Sequence, residues 1–412
     1  MAGTPSYQEL LPHLFRLEYS KMTAVLCRLF GLKHIETAED IVSETFLKAT
    51  EVWSARGIPE NPTAWLYTVA KNKTKDYLRH VSIFETQVKQ ALNDDETAQE
   101  PDIEFTSQTI ADSQLAMIFA VCNPANSTES QICLALQILC GFSVEEIADA
   151  FLSKNETIKK RLLRARANLR ADNFQVGQLQ EATIKERLDT VLRTLYLLFN
   201  EGYFSKSGNH LIRKELCSEA MRLTLVLTEN PLTNTTQANA LLALMCFQSS
   251  RLDARAGNEG ETILYEQQDK NLWSKELIQQ GNYYLVNACT GDEASKYHLE
   301  AGIAYWHTTP DAGSKWNHIL QLYNQLILIE YSPMTALNRT FAFAKVYGYP
   351  SGIKEAEKLG LHHNSHYHSL LGYLYTSTDA GKAAGHYQEA IRLTKSAAEK
   401  KTLMREIERL GR

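Results

Sequence analysis

Apolar residues recur along this chain at intervals of three and four rather than two, which predicts helices almost throughout and no strand bounded by turn signals. The fold class read from this pattern is all-α. Residues 8–80 form one helical block that ends in the basic KNKTKDYLRH, residues 110–172 form a second, and residues 180–412 read as a long series of helix pairs. The stretch 81–109 between the first two blocks is polar and acidic. From Gln90 to Ser153 there is no Lys or Arg but there are eleven Asp/Glu, six of them between Asp94 and Glu104, and with Pro101 among them this predicts a flexible linker. A short polar joint near Ala171–Gly177 leads into the last portion.

Within the second block, GFSVEEIADAFLSKNETIKKRLLRARANLR reads as two short helices around a tight turn. Ser143 and Glu146 have capping-box spacing for a helix running to about Phe151, and Ser153 and Glu156 repeat that spacing at the start of the next. In the second helix Ile158, Leu162, Ala165 and Leu169 form the core stripe, which leaves Glu156, Thr157, Lys160 and Arg164 on the opposite face and Lys159 and Arg161 on its flanks. Side chains of this kind reach a major groove, where Arg or Lys pairs with guanine and other cations hold phosphates. Residues 153–170 carry seven Lys/Arg against one Glu, a local charge of +6 in a chain whose net charge is −5. A merely solvated basic helix end is the alternative.

Composition narrows the class. At 412 residues, 44% hydrophobic and 22% charged, the chain can build two or three domains with cores of their own. No apolar run approaches the length of a membrane span, and MAGTPSYQEL lacks the pattern of a signal peptide, so a cytoplasmic protein with no membrane partner is expected. The seven cysteines are odd in number, scattered and without a C-x-x-C pair, which predicts buried free thiols in a reducing compartment. The mildly negative net charge confines any DNA contact to local basic faces.

In the first block, HIETAEDIVSETFLKATEVW reads as an amphipathic helix with Ile41, Thr45 and Lys48 roughly on one side and Asp40, Glu44 and Phe46 available elsewhere. The loop SARGIPENPTAW follows, stiffened by Pro59 and Pro62, before a helix opening near Thr63. In that helix Trp65, Leu66, Val69 and Ala70 pack inward, while Lys71, Lys75 and Arg79 recur as a positive stripe beside Asn72 and Asp76. Such a stripe near polar and aromatic groups suits a single nucleic-acid strand, although lysines at this spacing are often only solvated surface.

Taken in order, AEDIVSETFLKA, NPTAWLYTVAKNKTKDYLRH, an acidic linker and FSVEEIADAFLSKNETIKKRLLRARANLR, the chain resembles a sigma factor of the extracytoplasmic-function type, in the sigma-70 family. Beyond residue 180, LYLLFNEGY, YEQQDKNLW, WNHILQLYNQL and SPMTALNRTFA resemble the C-terminal extension of a subgroup that carries a tetratricopeptide-like domain. The resemblance implies a helical sigma region 2 domain at 8–80, a helix-turn-helix sigma region 4 domain at 110–172 and a tetratricopeptide-like regulatory extension at 180–412. It implies two partners, RNA polymerase core and promoter DNA as both duplex and melted strand, with no cofactor, metal or enzymatic activity. Polymerase contact falls to Asp40, Glu44 and Phe46, the melted minus-ten element to Asn61, Asn72, Lys75 and Arg79, and the duplex minus-thirty-five element to Thr157, Lys160, Arg161 and Arg164. One base of the melted element is expected to leave the stack for a protein pocket. The acidic linker would thread the polymerase toward the RNA exit path, its charge mimicking nucleic acid, the alternative being a merely solvated tether. One departure is that Leu115–Cys140 lacks any Lys or Arg, so phosphate contacts on that side fall to backbone amides and helix ends, and a shallow salt slope is expected.

The C-terminal portion is less legible. AGKAAGHYQEAIRLTKSAAEKKTLMREIERL resembles a tetratricopeptide helix pair in which Tyr387, Ala390 and Ile391 face inward, but no clean repeat period runs through the rest. Asn200–Glu201–Gly202–Tyr203 and Gln268–Asp269–Lys270–Asn271–Leu272–Trp273 either line a groove for an unidentified ligand or protein partner, or are a helix end with a packed Tyr and an Asp at a helix start. His362, His363, His366 and His368 have no carboxylate or thiol at ligand spacing, and no P-loop, dinucleotide or nucleophile motif is present, which argues against a metal site and catalysis. Two rival functions remain: a one-component regulator whose helix-turn-helix binds an operator alone, and a helical-repeat scaffold with an incidental basic helix. The first block separates them, because neither rival needs a polymerase-docking helix or a strand-binding stripe.

Overall fold

The structure, a computed structural model, describes residues 6–90, 103–172, 174–177, 179–204, 210–255, 263–291, 293–310 and 313–411. Among them every regular element is helical and there is no strand, as the apolar spacing predicts. They divide into two compact units, Met1–Leu197 and Leu198–Arg412. No helix of the described residues is long and apolar enough to cross a membrane.

The first unit begins with α1 (Tyr7–Phe30), α2 (Ile35–Arg56) and α3 (Pro62–Gln90). Ile35, Ala38, Val42, Thr45, Phe46, Ala49 and Trp53 of α2 follow helical spacing and are all buried, and α2 packs on both α1 and α3. Asn61 starts α3: its Oδ1 accepts the Ala64 amide at 3.0 Å, with Pro62 at the first helical position, where no amide is needed. The acidic run from Asp94 to Asp102 lies outside the described residues.

The second block supplies α4 (Ser107–Val121), α5 (Thr128–Leu134), which passes into a short π-helical stretch Ala135–Leu139, α6 (Val144–Ala150) and α7 (Asn155–Ala171). Residues 115–121 of α4 are buried on every side, and the helix lies against α1. That burial accounts for the missing cations along the second half of α4: a helix closed on all faces has no surface on which to solvate a charge. The two blocks read as separate from the sequence therefore pack together. Arg16 pairs with Glu146 at 3.1 Å, Arg166 holds both carboxylate oxygens of Glu39 at 2.8 Å, and Arg170 pairs with Glu36.

The boundary between the units lies inside α8 (Glu181–Tyr203), not at the polar joint near Ala171–Gly177. Its first turns belong with the second block: Arg187 pairs with Asp172 at 3.0 Å, and Thr194 donates to Gln131 at 2.9 Å. In the second unit α9 (His210–Glu229), α12 (Lys275–Ala288) and α13 (Lys296–Thr308) pack around α10 (Thr236–Ser249), which is buried from Ala238 to Phe247, and the short α11 (Leu252–Arg255) follows it in the chain. Then α14 (Lys315–Ile329), α15 (Pro333–Tyr347), α16 (Tyr349–Glu357), α17 (Ser365–Tyr375), α18 (Ala380–Leu393) and α19 (Ala397–Leu410) each pack on the next. Small residues permit the close approaches: a Cβ on Gly372 would sit 2.6 Å from the Tyr387 ring, and one on Gly352 only 2.3 Å from the Ala344 methyl. Tyr387 and Ala390 are buried, and Ile391 packs with Leu403. All seven cysteines are free; six are buried and Cys289 is exposed, and burial pushes the Cys122 and Cys246 thiols up to about 12.

Candidate nucleic-acid interface

The two helices α6 and α7 meet in a turn built by backbone chemistry that spacing alone does not reveal. The predicted capping box at Ser143 forms, with the Glu146 amide donating to Ser143 Oγ at 3.1 Å and the Ser143 amide to Glu146 Oε2 at 2.8 Å. The second box, Ser153 with Glu156, does not form. Leu152 takes a left-handed conformation at φ +48°, its amide donates to the Asp149 carbonyl at 3.2 Å, and the Ser153 amide donates to the Ala148 carbonyl at 2.9 Å. These are the paired bonds of a Schellman C-cap, with leucine where glycine is usual. Ser153 is thereby committed to closing α6, so the cap of α7 moves on to Lys154, which has no accepting side-chain atom.

In α7 the predicted stripe of Ile158, Leu162, Ala165 and Leu169 is the buried set. Thr157, Lys160 and Arg164 are exposed together on the opposite face, and Glu156 pairs with Lys159 at 3.6 Å beside them. Arg161 differs. Its Nη2 donates to Glu129 at 2.6 Å and its Nη1 lies 3.9 Å from Cys133 Sγ, so it ties α7 to α5 rather than standing with the exposed cations. Arg166 is only 14% exposed; burial alone lowers its pKa, but the two hydrogen bonds and the charge of Glu39 override this and raise it. A third bond runs from its Nε to Gln137 at 2.9 Å.

On α2, Asp40 and Glu44 are exposed and Phe46 is not. Phe46 turns into the core, its ring 5.0 Å from that of Phe15 in an edge-on contact. The residue that stands beside the two acids is Leu47, 62% exposed and seven positions after Asp40, two helical turns along the same face. The signal was present as an apolar residue at that spacing, but two adjacent apolar residues competed for the core. Lys48, read as lying with Ile41 and Thr45, is exposed and pairs with Glu51 at 3.1 Å.

Across from it on α3, Leu66, Ala70 and Thr74 are buried, and Trp65 meets Trp53 edge-on at 5.4 Å. Asn72 and Arg79 are exposed and Lys75 is half-buried, so these three share the outer side of the helix with Asp76, which pairs with Arg79 at 3.6 Å. Lys73 crosses to Glu44 at 2.6 Å and joins the acid-bearing face of α2 to α3. Asn61 stands exposed at the head of the same helix, its carbonyl oxygen already used as the cap.

With this geometry in hand, a protein of Rhizobium meliloti (strain 1021) that carries the name Uncharacterized protein R00370 is 30% identical over 387 residues, covering 92% of this chain and 91% of that one. The chain belongs to the family of that protein. The model of Sigma-70 region 2 matches residues 14–82, which takes in most of α1, all of α2 and most of α3. The ECF RNA polymerase sigma factor BldN of Streptomyces coelicolor (strain ATCC BAA-471 / A3(2) / M145) is 30% identical over 147 residues, 33% of this chain and 52% of that protein. Both likenesses support a factor of the sigma-70 family. A family of unknown function, DUF6596, matches residues 187–289. No solved structure matches.

In the second unit of this family member, the polar-aromatic segments near Tyr203 and Trp273 satisfy the local reading and also come together. Tyr203 ends α8, stacked on Phe199 at 5.7 Å, and Asp269 Oδ1 accepts the Asn271 amide at 2.9 Å to start a short turn. Both segments reach Arg251, which donates to the Tyr203 hydroxyl at 3.2 Å and lies 5.9 Å from the Trp273 ring centre. A separate groove of about 750 Å³ is lined by Met221 and Leu225 of α9, Leu242 and Cys246 of α10, and Tyr283 and Tyr284 of α12. Of the histidine cluster, His368 is buried, with Nε2 against the His362 carbonyl at 2.9 Å and Nδ1 against His386 Nδ1 at 3.1 Å.

Proposed function

We propose that this chain is a promoter-specificity subunit of the extracytoplasmic-function type, acting when bound to RNA polymerase core, with its output modulated by residues 180–412. The observation that carries the reading is the exposed face Asp40, Glu44 and Leu47 on a helix inside the sigma-70 region 2 match, in the same compact unit as a capped helix pair bearing Thr157, Lys160 and Arg164. An acidic face with one apolar anchor suits a basic or mixed partner helix, in which the leucine supplies buried area and the carboxylates supply register. Phe46 then supports that face from beneath. Asn61, Asn72, Lys75 and Arg79 contact the melted strand, the amide and cations meeting bases and phosphates respectively. Thr157, Lys160 and Arg164 read the duplex, with Arg161 positioning α7 through Glu129.

Glu39, adjacent to Asp40, is held by Arg166, and Glu36 by Arg170. Two modules that engage separate promoter elements must part at these pairs, so core binding and upstream recognition compete with the closed arrangement. The test is transcription from a promoter library with purified core polymerase and full-length protein, together with Leu47→Glu. The expected outcome is start-site-specific RNA that is lost with Leu47→Glu, whose fold is retained because Leu47 is largely exposed. Operator binding without any core-dependent transcript would instead favour a one-component regulator. Removal of residues 198–412, which leaves the first compact unit whole, is expected to change transcript yield while leaving the chosen promoter the same.

A further inference from the structure

Three consecutive side chains lying between α11 and α12 reach across most of the C-terminal stack. Tyr265, Glu266 and Gln267 form one short helical turn. The Tyr265 hydroxyl donates to the His307 carbonyl of α13 at 2.7 Å and accepts from Lys315 Nζ of α14 at 2.8 Å. Glu266 Oε1 lies 2.5 Å from Lys345 Nζ of α15, and its Oε2 accepts the Tyr373 hydroxyl of α17 at 2.8 Å. Gln267 Nε2 donates to Glu406 Oε1 of α19 at 3.1 Å, across 139 residues of sequence. From α15 onward the turn meets every second helix, which places α15, α17 and α19 on a common side of the stack.

The grip on Glu266 is asymmetric. Lys345 is built into the stack: its side chain is 15% exposed, the ring centres of Phe341, Tyr349 and Tyr373 each lie 5.4 Å from its ammonium, and it donates to the Tyr349 and Tyr373 hydroxyls at 3.1 and 2.8 Å. Burial alone lowers its pKa, but the bonds to Glu266 and Tyr349 override this and raise it, so the group stays charged. Glu266 comes from outside the stack and is 46% exposed. Because Tyr373 donates to Glu266, the Tyr349 hydroxyl must donate to that of Tyr373 at 3.0 Å, and the ammonium spends its three hydrogens on Glu266 and the two phenols. The network closes only with a negatively charged acceptor in the Glu266 position. Without one, a largely buried ammonium loses its counter-charge and Tyr373 its acceptor.

The segment carrying this turn is anchored at its ends. The Ile263 amide donates to the Arg255 carbonyl at 2.8 Å; at the far end Trp273 is buried and the Ser274 amide donates to the Ser250 carbonyl at 2.9 Å. Between these anchors the Gln267 and Gln268 amides stay inside the segment, on the Leu264 and Tyr265 carbonyls at 2.9 and 3.3 Å, and Glu266, Gln267, Asp269, Lys270 and Asn271 are exposed. Lifting the turn therefore exchanges side-chain contacts and leaves the anchors and the helix ladders whole.

We propose that the side of the stack formed by α13, α15, α17 and α19 is a docking surface for an extended segment of a partner protein that carries an aromatic residue directly before a carboxylate, and that Tyr265–Gln267 occupies it as an internal stand-in in the free chain. The aromatic residue takes the Tyr265 position, 4.7 Å from the His307 ring and 5.5 Å from the Arg251 guanidinium, and the carboxylate takes Lys345 and Tyr373. Charge complementarity selects an acidic partner, since the receiving group is a fixed ammonium. The surface lies wholly within the second unit and does not depend on the sigma-factor reading.

The probe is a fluorescein-labelled peptide with the sequence of residues 263–272, ILYEQQDKNL, titrated with full-length protein and followed by fluorescence anisotropy. Protein carrying Tyr265→Ala and Glu266→Ala is expected to bind it saturably and at least tenfold more tightly than the wild type, whose own turn competes at an effective concentration on the order of 1 mM. Adding Lys345→Met to that variant, or glutamine in place of the glutamate of the peptide, is expected to weaken binding at least tenfold, and a peptide of scrambled order should not bind. Should the double variant fail to fold, Glu266→Gln, which keeps the Tyr265 contacts, carries the same comparison, with its fold checked by circular dichroism. No binding to folded protein that lacks the Glu266 carboxylate, or binding indifferent to Lys345 and to the glutamate of the peptide, overturns the proposal and leaves the turn as a brace. Concentration-dependent dimerisation of the wild type that Glu266→Gln abolishes would assign the surface to a second copy of this chain and overturn the partner equally.

Discussion

Replacing Arg166 by Met, or Glu39 by Gln, removes one side of the bidentate pair that joins α7 to α2. Both nitrogen–oxygen distances are 2.8 Å and each side chain is 14% exposed, so the pair behaves as a largely buried one. Breaking a fully buried pair from one side costs about 3–5 kcal/mol, because the other charge is left desolvated. The residual exposure, and for Arg166 the remaining bond to Gln137, reduce this to about 2–4 kcal/mol. The double variant Arg166→Met with Glu39→Met removes both charges and recovers part of the loss, giving a coupling energy of about 2 kcal/mol. Several tryptophans report on more than one unit, so a single unfolding midpoint is a poor readout. Hydrogen exchange by mass spectrometry, on peptides covering Asn155–Ala171 and Ile35–Arg56, reads the local opening directly. At about 1.4 kcal/mol per tenfold, exchange in both single variants should quicken by roughly one and a half to three orders of magnitude. Wild-type exchange rates in both single variants, or strictly additive effects in the double, would refute the argument that this pair holds the two blocks together.

Arg164→Ala is expected to lower the salt slope of promoter binding by about 1, while Arg161→Ala leaves the slope nearer wild type and chiefly destabilises α7, since its partner is Glu129; fluorescence anisotropy across a salt series separates the two. Leu152→Gly relieves a left-handed backbone at an exposed position and should stabilise the α6–α7 turn by about 0.5–1 kcal/mol, after the added chain entropy of glycine is counted, read as slower exchange in 144–160. His307, lowered to about 3, stays neutral in the folded chain, whereas the unfolded chain binds its proton near 6.5. The contribution of this histidine is therefore complete above pH 6.5 and is lost as pH falls toward 3, at up to about 1.4 kcal/mol per pH unit. The opening free energy read by hydrogen exchange in Lys296–Thr308, corrected for intrinsic exchange, should accordingly differ less between pH 7 and pH 5 in His307→Gln than in the wild type.

What periodicity and capping chemistry dictate was legible before any coordinates: helices throughout, the buried stripe of α7, the box at Ser143, the inward Tyr387 and Ala390. Each depends on residues within a turn or two of one another, where hydrogen bonds and side-chain spacing leave few alternatives. Tertiary structure alone decided which of Phe46 and Leu47 is buried, because that choice belongs to Phe15 on another helix. It decided too that Arg161, Arg166 and Arg170 are spent on Glu129, Glu39 and Glu36, leaving Lys160 and Arg164 exposed, where the sequence showed only an undivided run of positive charge. The same holds for Tyr203, Arg251, Tyr265, Trp273, His307 and Lys315, which come together from separate stretches of chain. A charge or a donor takes its meaning from the partner it meets in space, and contacts across a hundred residues leave no period in the chain to read.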